Sequence, residues 1–304
     1  MIRHLIAACL ALLFASQDSS AQSREYIGYG RLLTNDFLAL DDDRWRTGSF
    51  NSSRIWGYGW DGELPQQPGD ILELRLGAQI IAPDSLVKRA PGDRPYAGVI
   101  TAGLHTHFMR WGTDFAMGAD LVAIGPQTRL DRLQKAFHDA IGIRAPSKRI
   151  RANQIDDAFY LDVVVEAAHD IALSDVVTMR PFVELRSGVE TMARVGVDMT
   201  IGDLANGGLR VRDTVSGQRY TAIRTNERGF AFLLGADIAT VASSEYFPAS
   251  YGVAVSDTRY RYRGGIQWQT NPATIFYGVT YLGEEFEGQQ EGQFVGSIRV
   301  DLHF

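Results

Sequence analysis

Hydrophobic and polar residues alternate strictly in many short segments of this chain. In FVGSIRVDLHF (294–304), Ile298, Val300 and Leu302 alternate with Arg299 and Asp301. The same alternation occurs in ILELRLGAQI (71–80), FYLDVVVEA (159–167), RPFVELRSGVE (180–190) and TRYRYRGGIQWQ (258–269). A period of two places successive side chains on opposite faces of a β-strand. The pattern therefore predicts strands that each have one apolar and one polar face.

About twelve such segments account for most of the chain, which predicts an all-β, single up-and-down β-barrel. We expect strands near 24–34, 48–60, 70–81, 96–110, 113–124, 157–170, 177–190, 193–202, 228–241, 258–270, 273–283 and 293–304. The pattern is weakest at 190–202, and residues 203–227 are predicted to be a long connection. With no internal repeat and no linker, residues 22–304 form one predicted domain.

The two ends of the chain indicate where this barrel resides. Residues 1–21 have the basic start, short apolar run and small-residue cleavage site of a secretory signal peptide. Cys9, the single cysteine, lies within them, so the mature chain would have no thiol. A last strand that ends on Phe304 is typical of bacterial outer-membrane barrels. Together these features favour a transmembrane barrel with apolar residues facing lipid and charges lining the lumen. The alternative is the edge strand of a soluble sandwich.

Three long connections are predicted to converge on one end of the barrel. They are residues 34–48, 82–98 and 125–154, which follow odd-numbered strands, and long loops face the cell exterior in such barrels. The third contains LQKAFHDAIG (133–142), where apolar residues recur at helical spacing. Gln134 and His138 flank that apolar stripe and are predicted to face the other two loops. The stripe is expected to pack on the barrel rim or on acyl chains.

Motifs in these loops resemble those of the outer-membrane lipid A 3'-O-deacylase family. They are Asn35-Asp36, DRWRTG (43–48), GDRPYAG (92–98), and GP (125–126) followed by QKAFH (134–138). The resemblance implies a hydrolase that removes the 3'-linked acyl (acyloxyacyl) chain from lipid A of lipopolysaccharide by calcium-dependent ester hydrolysis. It also implies a monomer in the outer membrane with its active site at the extracellular rim. A formal net charge of −6 argues against nucleic acid as a partner.

The resemblance implies six catalytic residues: His138, Lys88, Asn35, Asp36, Thr47 and Gln134. His138 would be the general base that activates water. Asn35 and Asp36 would hold Ca²⁺ or orient the histidine, since calcium prefers oxygen ligands. Lys88 would stabilise the oxyanion together with the metal, and Thr47 and Gln134 would hold water or substrate. Each residue also has a plain alternative, such as an ordinary turn for Asn35-Asp36 or a solvated loop charge for Lys88.

Two positions depart from the family pattern. Arg144 stands where some members have an acidic residue, and the Gly-Trp pair before a glutamine is missing from RIRANQ (149–154). The adjacent acids Asp41, Asp42 and Asp43 lack calcium-loop spacing and are interpreted as a solvated turn that adds negative potential.

Three other functions stay open at this point. The chain could be a non-enzymatic barrel (a small pore or structural protein), an inactive family member, or an outer-membrane phospholipase. A phospholipase would need a nucleophilic serine, and Ser85 and Ser147 are serines in the rim loops. Neither lies in a nucleophile motif, and the chain has no Gly-x-Ser-x-Gly elbow.

Overall fold

The chain forms a closed antiparallel barrel of twelve wall strands. The computed structural model describes residues 23–39 and 43–302. Its strands are β1 (Glu25–Asn35), β2 (Trp45–Gly57), β3 (Leu72–Ala82), β4 (Ala97–Arg110), β5 (Thr113–Ile124), β6 (Ala158–Ala168), β7 (Ile171–Ser174), β8 (Val177–Ser187), β9 (Glu190–Gly202), β10 (Leu209–Arg212), β11 (Arg219–Ile223), β12 (Gly229–Ser244), β13 (Thr258–Gln269), β14 (Ala273–Leu282) and β15 (Gln293–Leu302). The wall contains all of these except β7, β10 and β11, and it closes where β15 pairs with β1. The predicted twelve-stranded barrel is confirmed.

Side chains alternate between lipid and lumen as the sequence pattern predicts. On β13, Arg261 and Arg263 are buried inside the barrel, where they form ion pairs with acidic residues of neighbouring strands. Tyr262 and Trp268 on the same strand are exposed on the outside. Aromatic rings lie near both ends of the outer surface, and Trp268 stacks on Phe230 with 6.0 Å between ring centroids. Such rings are typical of the two interfaces of an outer-membrane barrel.

The two ends of the barrel differ in their connections. The end that we call the loop rim has the connections after β1, β3, β5, β8, β12 and β14. Three of them, residues 36–44, 83–96 and 125–157, correspond to the three long loops predicted from sequence. The opposite end has the connections after β2, β4, β6, β9 and β13. The functional motifs quoted above therefore lie at one end of the barrel.

Residues 203–227 form the predicted long connection, here between β9 and β12, but the sequence analysis did not identify the structure inside it. This segment forms a hairpin, β10–β11, that folds back into the lumen from the end opposite the loop rim. Tyr220 of β11 packs against Leu32, Ile55 and Phe276 of the wall, and its hydroxyl lies 2.8 Å from Ser53 Oγ. Each strand has only four or five residues, too few to establish a period of two in the sequence. We call this hairpin the plug.

The seam between the first and last strands is closed over a short length. β1 pairs with β15 at Leu33, Thr34 and Asn35. Further from the loop rim, Arg31 donates across the gap to the Val300 carbonyl at 2.6 Å. The plug strand β11 lies behind this part of β1, where a Cβ at Gly30 would lie 2.7 Å from a plug carbonyl. Only glycine permits so close an approach.

Two helices interrupt the connection between β5 and β6. Helix α1 spans Leu130–Ile141 and helix α2 spans Lys148–Ala152, so the helix predicted at 133–142 is confirmed. Gly142, with φ of 74°, ends α1 in a left-handed conformation that favours glycine. Among the described residues, no helix is long and apolar enough to cross a membrane. The predicted signal peptide, Asp41, Asp42 and Phe304 lie outside the described residues.

Candidate functional site

A polar group interrupts the apolar outer face of the wall where β1 and β2 reach the loop rim. Leu33 and Phe50 are paired across these strands and both are exposed on the outside. Two residues further along, Asn35 lies opposite Gly48 and shares that outward orientation. The Asn35 Nδ2 donates to the Thr47 carbonyl at 2.6 Å. The group therefore begins on the lipid-facing side of the wall, outside the lumen.

Asp36 is a buried carboxylate directly after β1. Its Oδ1 accepts a hydrogen bond from the Phe37 amide at 2.8 Å, and its Oδ2 accepts one from the Arg44 amide at 3.0 Å. Burial, and secondly the charge of Asp43, raise the pKa of Asp36 to about 8. Two carboxylates in one poorly solvated site repel each other. Such a site therefore favours the binding of a cation.

Asp43 joins the predicted residues to one another, and the sequence analysis missed it. The Thr47 hydroxyl donates to Asp43 Oδ1, and Gln134 Nε2 lies 3.4 Å from the same oxygen. Asp43 Oδ2 is buried without a hydrogen-bond donor and lies 3.1 Å from His138 Nε2. Its interpretation as part of a solvated turn is therefore wrong. Its position at the start of DRWRTG was the signal that could have identified it.

The two ring nitrogens of His138 have different partners. Nδ1 lies 2.8 Å from the Arg144 carbonyl oxygen. Because a carbonyl can only accept, Nδ1 carries a hydrogen, and the basic lone pair of the neutral ring is on Nε2. Nε2 is the nitrogen that faces Asp43. The contact with Arg144 uses the backbone, so the departure from the family pattern at this position leaves the hydrogen bond in place.

Gln134 is held in position from the opposite side of the group. The Tyr96 hydroxyl, from GDRPYAG, donates to Gln134 Oε1 at 2.9 Å. Tyr96 is buried, which raises the pKa of its hydroxyl and keeps it protonated as a donor. With its oxygen engaged by Tyr96, the Gln134 amide directs its N–H groups towards Asp43. The polar face of α1 is therefore packed inward.

Lys88 is the one predicted site residue that stands apart. It is exposed in the loop between β3 and β4, and it forms no hydrogen bond or ion pair with the residues that the structure describes. The loop itself is fixed, since the Ser147 hydroxyl donates to the Val87 carbonyl at 2.8 Å. This contact joins the Lys88 loop to the loop that carries His138. Five of the six predicted residues thus form one contiguous group, and Lys88 lies on a neighbouring loop.

The donor set of this group suits a hard cation. Within the described ranges, no group of three or more His, Cys, Asp or Glu residues is arranged to hold a metal ion. Calcium instead takes about six to eight oxygen ligands, which include amide, carbonyl, hydroxyl and water oxygens. Asp36 and Asp43 supply two carboxylates, one with a buried oxygen that accepts no hydrogen bond, and Asn35 and Thr47 supply neutral oxygens beside them. The residues present therefore fit calcium.

Fold and site together define an outer-membrane β-barrel with a polar site on the lipid-facing side of its wall. The model of one family, described as outer membrane protein LpxR, matches residues 5–304. The chain belongs to this family, and the resemblance to the outer-membrane lipid A 3'-O-deacylases is confirmed.

Solved structures include barrels of the same kind. LpxR from Salmonella typhimurium has a TM-score of 0.73 at 18% identity, covering 91% of this chain and 100% of that chain. This likeness shows the fold. The NanC porin has a TM-score of 0.41 at 7% identity, covering 91% of this chain and 100% of that chain. The translocator domain of the autotransporter NalP from Neisseria meningitidis has a TM-score of 0.41 at 9% identity, covering 100% and 96%. Among curated protein sequences no match was found.

Proposed function

We propose that this protein is a lipid A 3'-O-deacylase, a carboxylic ester hydrolase that uses a His138-activated water and Ca²⁺ at the extracellular rim. One observation carries the proposal: the group of His138, Asp43, Gln134 and Thr47 lies on the lipid-facing side of the wall. A lipid ester in the same leaflet reaches that side without crossing the wall. Membership of the LpxR family supports this substrate class.

The proposed reaction begins with proton transfer to His138. A water oxygen attacks the ester carbonyl carbon while Nε2 accepts one of its protons, and the carbonyl oxygen becomes an oxyanion. The tetrahedral intermediate then collapses, the bond to the sugar oxygen breaks, and that oxygen takes the proton from Nε2. The products are the released fatty acid and a free hydroxyl on lipid A. His138 is suited to both transfers because its ordinary pKa is close to neutral.

Asp43 would stabilise the ring when it is charged. An imidazolium forms during the reaction, and Asp43 Oδ2 is placed 3.1 Å from the nitrogen that carries the new proton. The hydrogen bond from Nδ1 to the Arg144 carbonyl keeps the ring in the orientation that presents Nε2. Thr47 and Gln134, by binding Asp43 Oδ1, hold the carboxylate in place. These contacts restrict the ring and the carboxylate to one geometry.

Two further roles are part of the proposal. Asn35, Asp36 and Asp43 would hold Ca²⁺ with Thr47, and a bound calcium ion supplies positive charge that stabilises an oxyanion. Lys88 would approach the same oxyanion from its exposed position on the neighbouring loop. No contact in the structure joins Lys88 to the group, so its role depends on the bound substrate.

Two alternatives are less well supported by the structure. The plug occupies part of the lumen, where Tyr220 belongs to a hydrophobic cluster with wall residues, and this argues against an open pore. A serine mechanism would need a serine beside His138. Ser147 instead caps α2 by accepting from the Ile150 amide and donates to Val87, while Ser85 accepts from the Val87 amide.

The test compares two neighbouring residues of α1. Purified wild-type protein, His138→Ala and Asp139→Ala are incubated with hexa-acylated lipid A, and the products are weighed by mass spectrometry. Wild type should release the 3'-linked chain. His138→Ala should lose about 10²–10⁴-fold in rate, since a general base contributes that much. Asp139 is exposed and bonded to Lys135, so Asp139→Ala should match wild type. Equal rates for wild type and His138→Ala would reject the mechanism, and absence of product from wild type would indicate an inactive member.

A further inference from the structure

The apolar stripe of α1 does not pack against the barrel. Leu133, Phe137 and Ile141 are 62%, 59% and 52% exposed, whereas Gln134 and His138 on the same helix are buried. A surface helix of a water-soluble protein instead buries its apolar side and exposes its polar side. Water is therefore an unsuitable environment for this exposed face.

A second exposed face of α1 is charged. Arg132, Lys135 and Asp139 lie on the side of the helix away from the apolar residues, and Lys135 forms an ion pair with Asp139 at 2.5 Å. At 100° per residue, the helix thus has a buried polar side, an exposed apolar side and an exposed charged side. An amphipathic helix of this kind, which lies in a membrane surface, directs its apolar side to acyl chains and its charged side to water.

The position of α1 on the barrel agrees with such an orientation. Gly98 of β4 faces outward, and a Cβ there would lie 2.4 Å from Thr128 Oγ1 and 3.0 Å from the Leu130 Cβ. The start of α1 therefore rests on the outer side of the wall. Along the same face of β4, Ile100 and Leu104 are exposed to lipid. The apolar face of α1 therefore belongs to a helix that begins on this lipid-facing side of the wall.

The charge of the surrounding segment indicates the kind of lipid. Residues 129–151 contain seven basic residues and two acidic ones, although the whole chain has a net charge of −6. Basic segments beside an apolar face bind membranes that present anionic head groups. Arg144, Lys148 and Arg149 are exposed in this segment. Phosphate-bearing lipids meet both requirements, since they combine anionic head groups with acyl chains.

We propose that α1 is an interfacial helix, with Leu133, Phe137 and Ile141 inserted among the acyl chains of a leaflet of phosphate-bearing lipids. His138 is then held at the boundary between head groups and acyl chains, which is the depth of an acyl ester. The lipid contact deepens the proposed function by stating how the ester meets the base. It depends on that function only for the identity of the ester.

Cysteine labelling measures the depth of the helix directly. Cys9 is the only cysteine, so a chain that begins at residue 23 accepts single-cysteine variants without interference. The full barrel is refolded into vesicles that contain lipopolysaccharide, with a nitroxide at Leu133→Cys, Phe137→Cys or Ile141→Cys. Arg132→Cys and Asp139→Cys report the charged side of α1. Leu104→Cys serves as the lipid reference and Asp175→Cys, in the turn after β7, as the water reference.

The expected result separates the two sides of one helix. Labels at 133, 137 and 141 should collide with dissolved oxygen and resist a water-soluble nickel complex, as the label at 104 does. Labels at 132 and 139 should be accessible to nickel, as the label at 175 is. Adding Phe137→Glu should raise nickel accessibility at 141 at least several-fold. If all five helix positions resemble position 175, α1 stands in water and the proposal is wrong.

This readout is independent of hydrolysis. A helix that is inserted in a protein without deacylase activity would overturn the proposed function and leave the interfacial helix established. A helix that lies in water in a protein with deacylase activity would overturn the interfacial helix and leave the proposed function in place.

Discussion

At the scale of single residues, the two ring nitrogens of His138 have one backbone partner and one side-chain partner, and these partners have different roles. The Arg144 carbonyl fixes the tautomer, and Asp43 faces the nitrogen that would become charged in the proposed reaction. Sequence alone could identify Asn35, Asp36, Thr47, Gln134 and His138 as candidates, because they lie in motifs. It did not single out Asp43, although Asp43 begins the DRWRTG motif, because three adjacent acids have the composition of a solvated turn. Thr47 is four residues away, but the contacts of Asp43 with Gln134 and His138 come from a distant part of the chain.

Asp43 gives a prediction that separates its role from general negative charge. Asp43→Asn preserves the shape of the side chain and removes its charge, so the imidazolium loses its partner. We expect the rate of lipid A hydrolysis to fall about 10–100-fold, which is the usual loss when a residue that orients an active-site group is replaced. The loss should occur in kcat. Asp84→Asn, a change in the exposed loop carboxylate that pairs with Arg44, is the control. A variant with normal kcat would show that Asp43 only shapes the loop.

Metal removal tests the carboxylate pair. Burial, and secondly the charge of Asp43, raise the pKa of Asp36, so a bound cation should stabilise the deprotonated pair, and we expect hydrolysis to require one. Excess chelator should abolish hydrolysis, and added Ca²⁺ should restore it. A bound ligand also stabilises the folded state, so calcium should raise the unfolding temperature of wild type more than that of Asp36→Asn. Full activity in excess chelator would contradict the metal role.

At the scale of elements, long strands could be predicted from the sequence and short strands could not. The wall strands have ten or more residues, which is enough for alternation to be recognised. The plug strands have four and five residues, and their apolar side chains face the interior of the barrel instead of lipid. The apolar stripe of α1 was visible in the sequence. The sequence did not show that the stripe is exposed. Periodicity identifies which residues share a helix face, but it does not identify what that face packs against.

The plug provides a prediction at this scale. Replacing residues 205–226 with a short glycine-serine turn removes Tyr220 and its hairpin from the lumen. We expect the variant to conduct ions in planar bilayers in which wild type is silent. Tyr220→Phe, which loses the hydrogen bond to Ser53 and keeps the ring, should stay silent. A silent deletion variant would show that the lumenal charges close the barrel without the plug.

At the scale of the whole molecule, the barrel separates two chemical environments. Its interior is a network of ion pairs, such as Arg212 with Glu166 and Asp198, which no lipid could solvate. Its exterior is mostly apolar, as at Leu104 and Phe159. Because alternation along each wall strand dictates both surfaces, the architecture could be predicted from one sequence. The polar group on the outside breaks that alternation, and its residues were found only through motifs.

The short seam between β1 and β15 has a consequence for biogenesis. Asn35 belongs to both structures: it pairs with Gly296 in the closure of the barrel and binds Thr47 in the polar site. An assembly intermediate whose first and last strands have not yet met would lack this geometry. The proposed hydrolysis would then begin only after the final strand has docked, so a partly inserted chain could not attack the lipids of the membrane that it is entering.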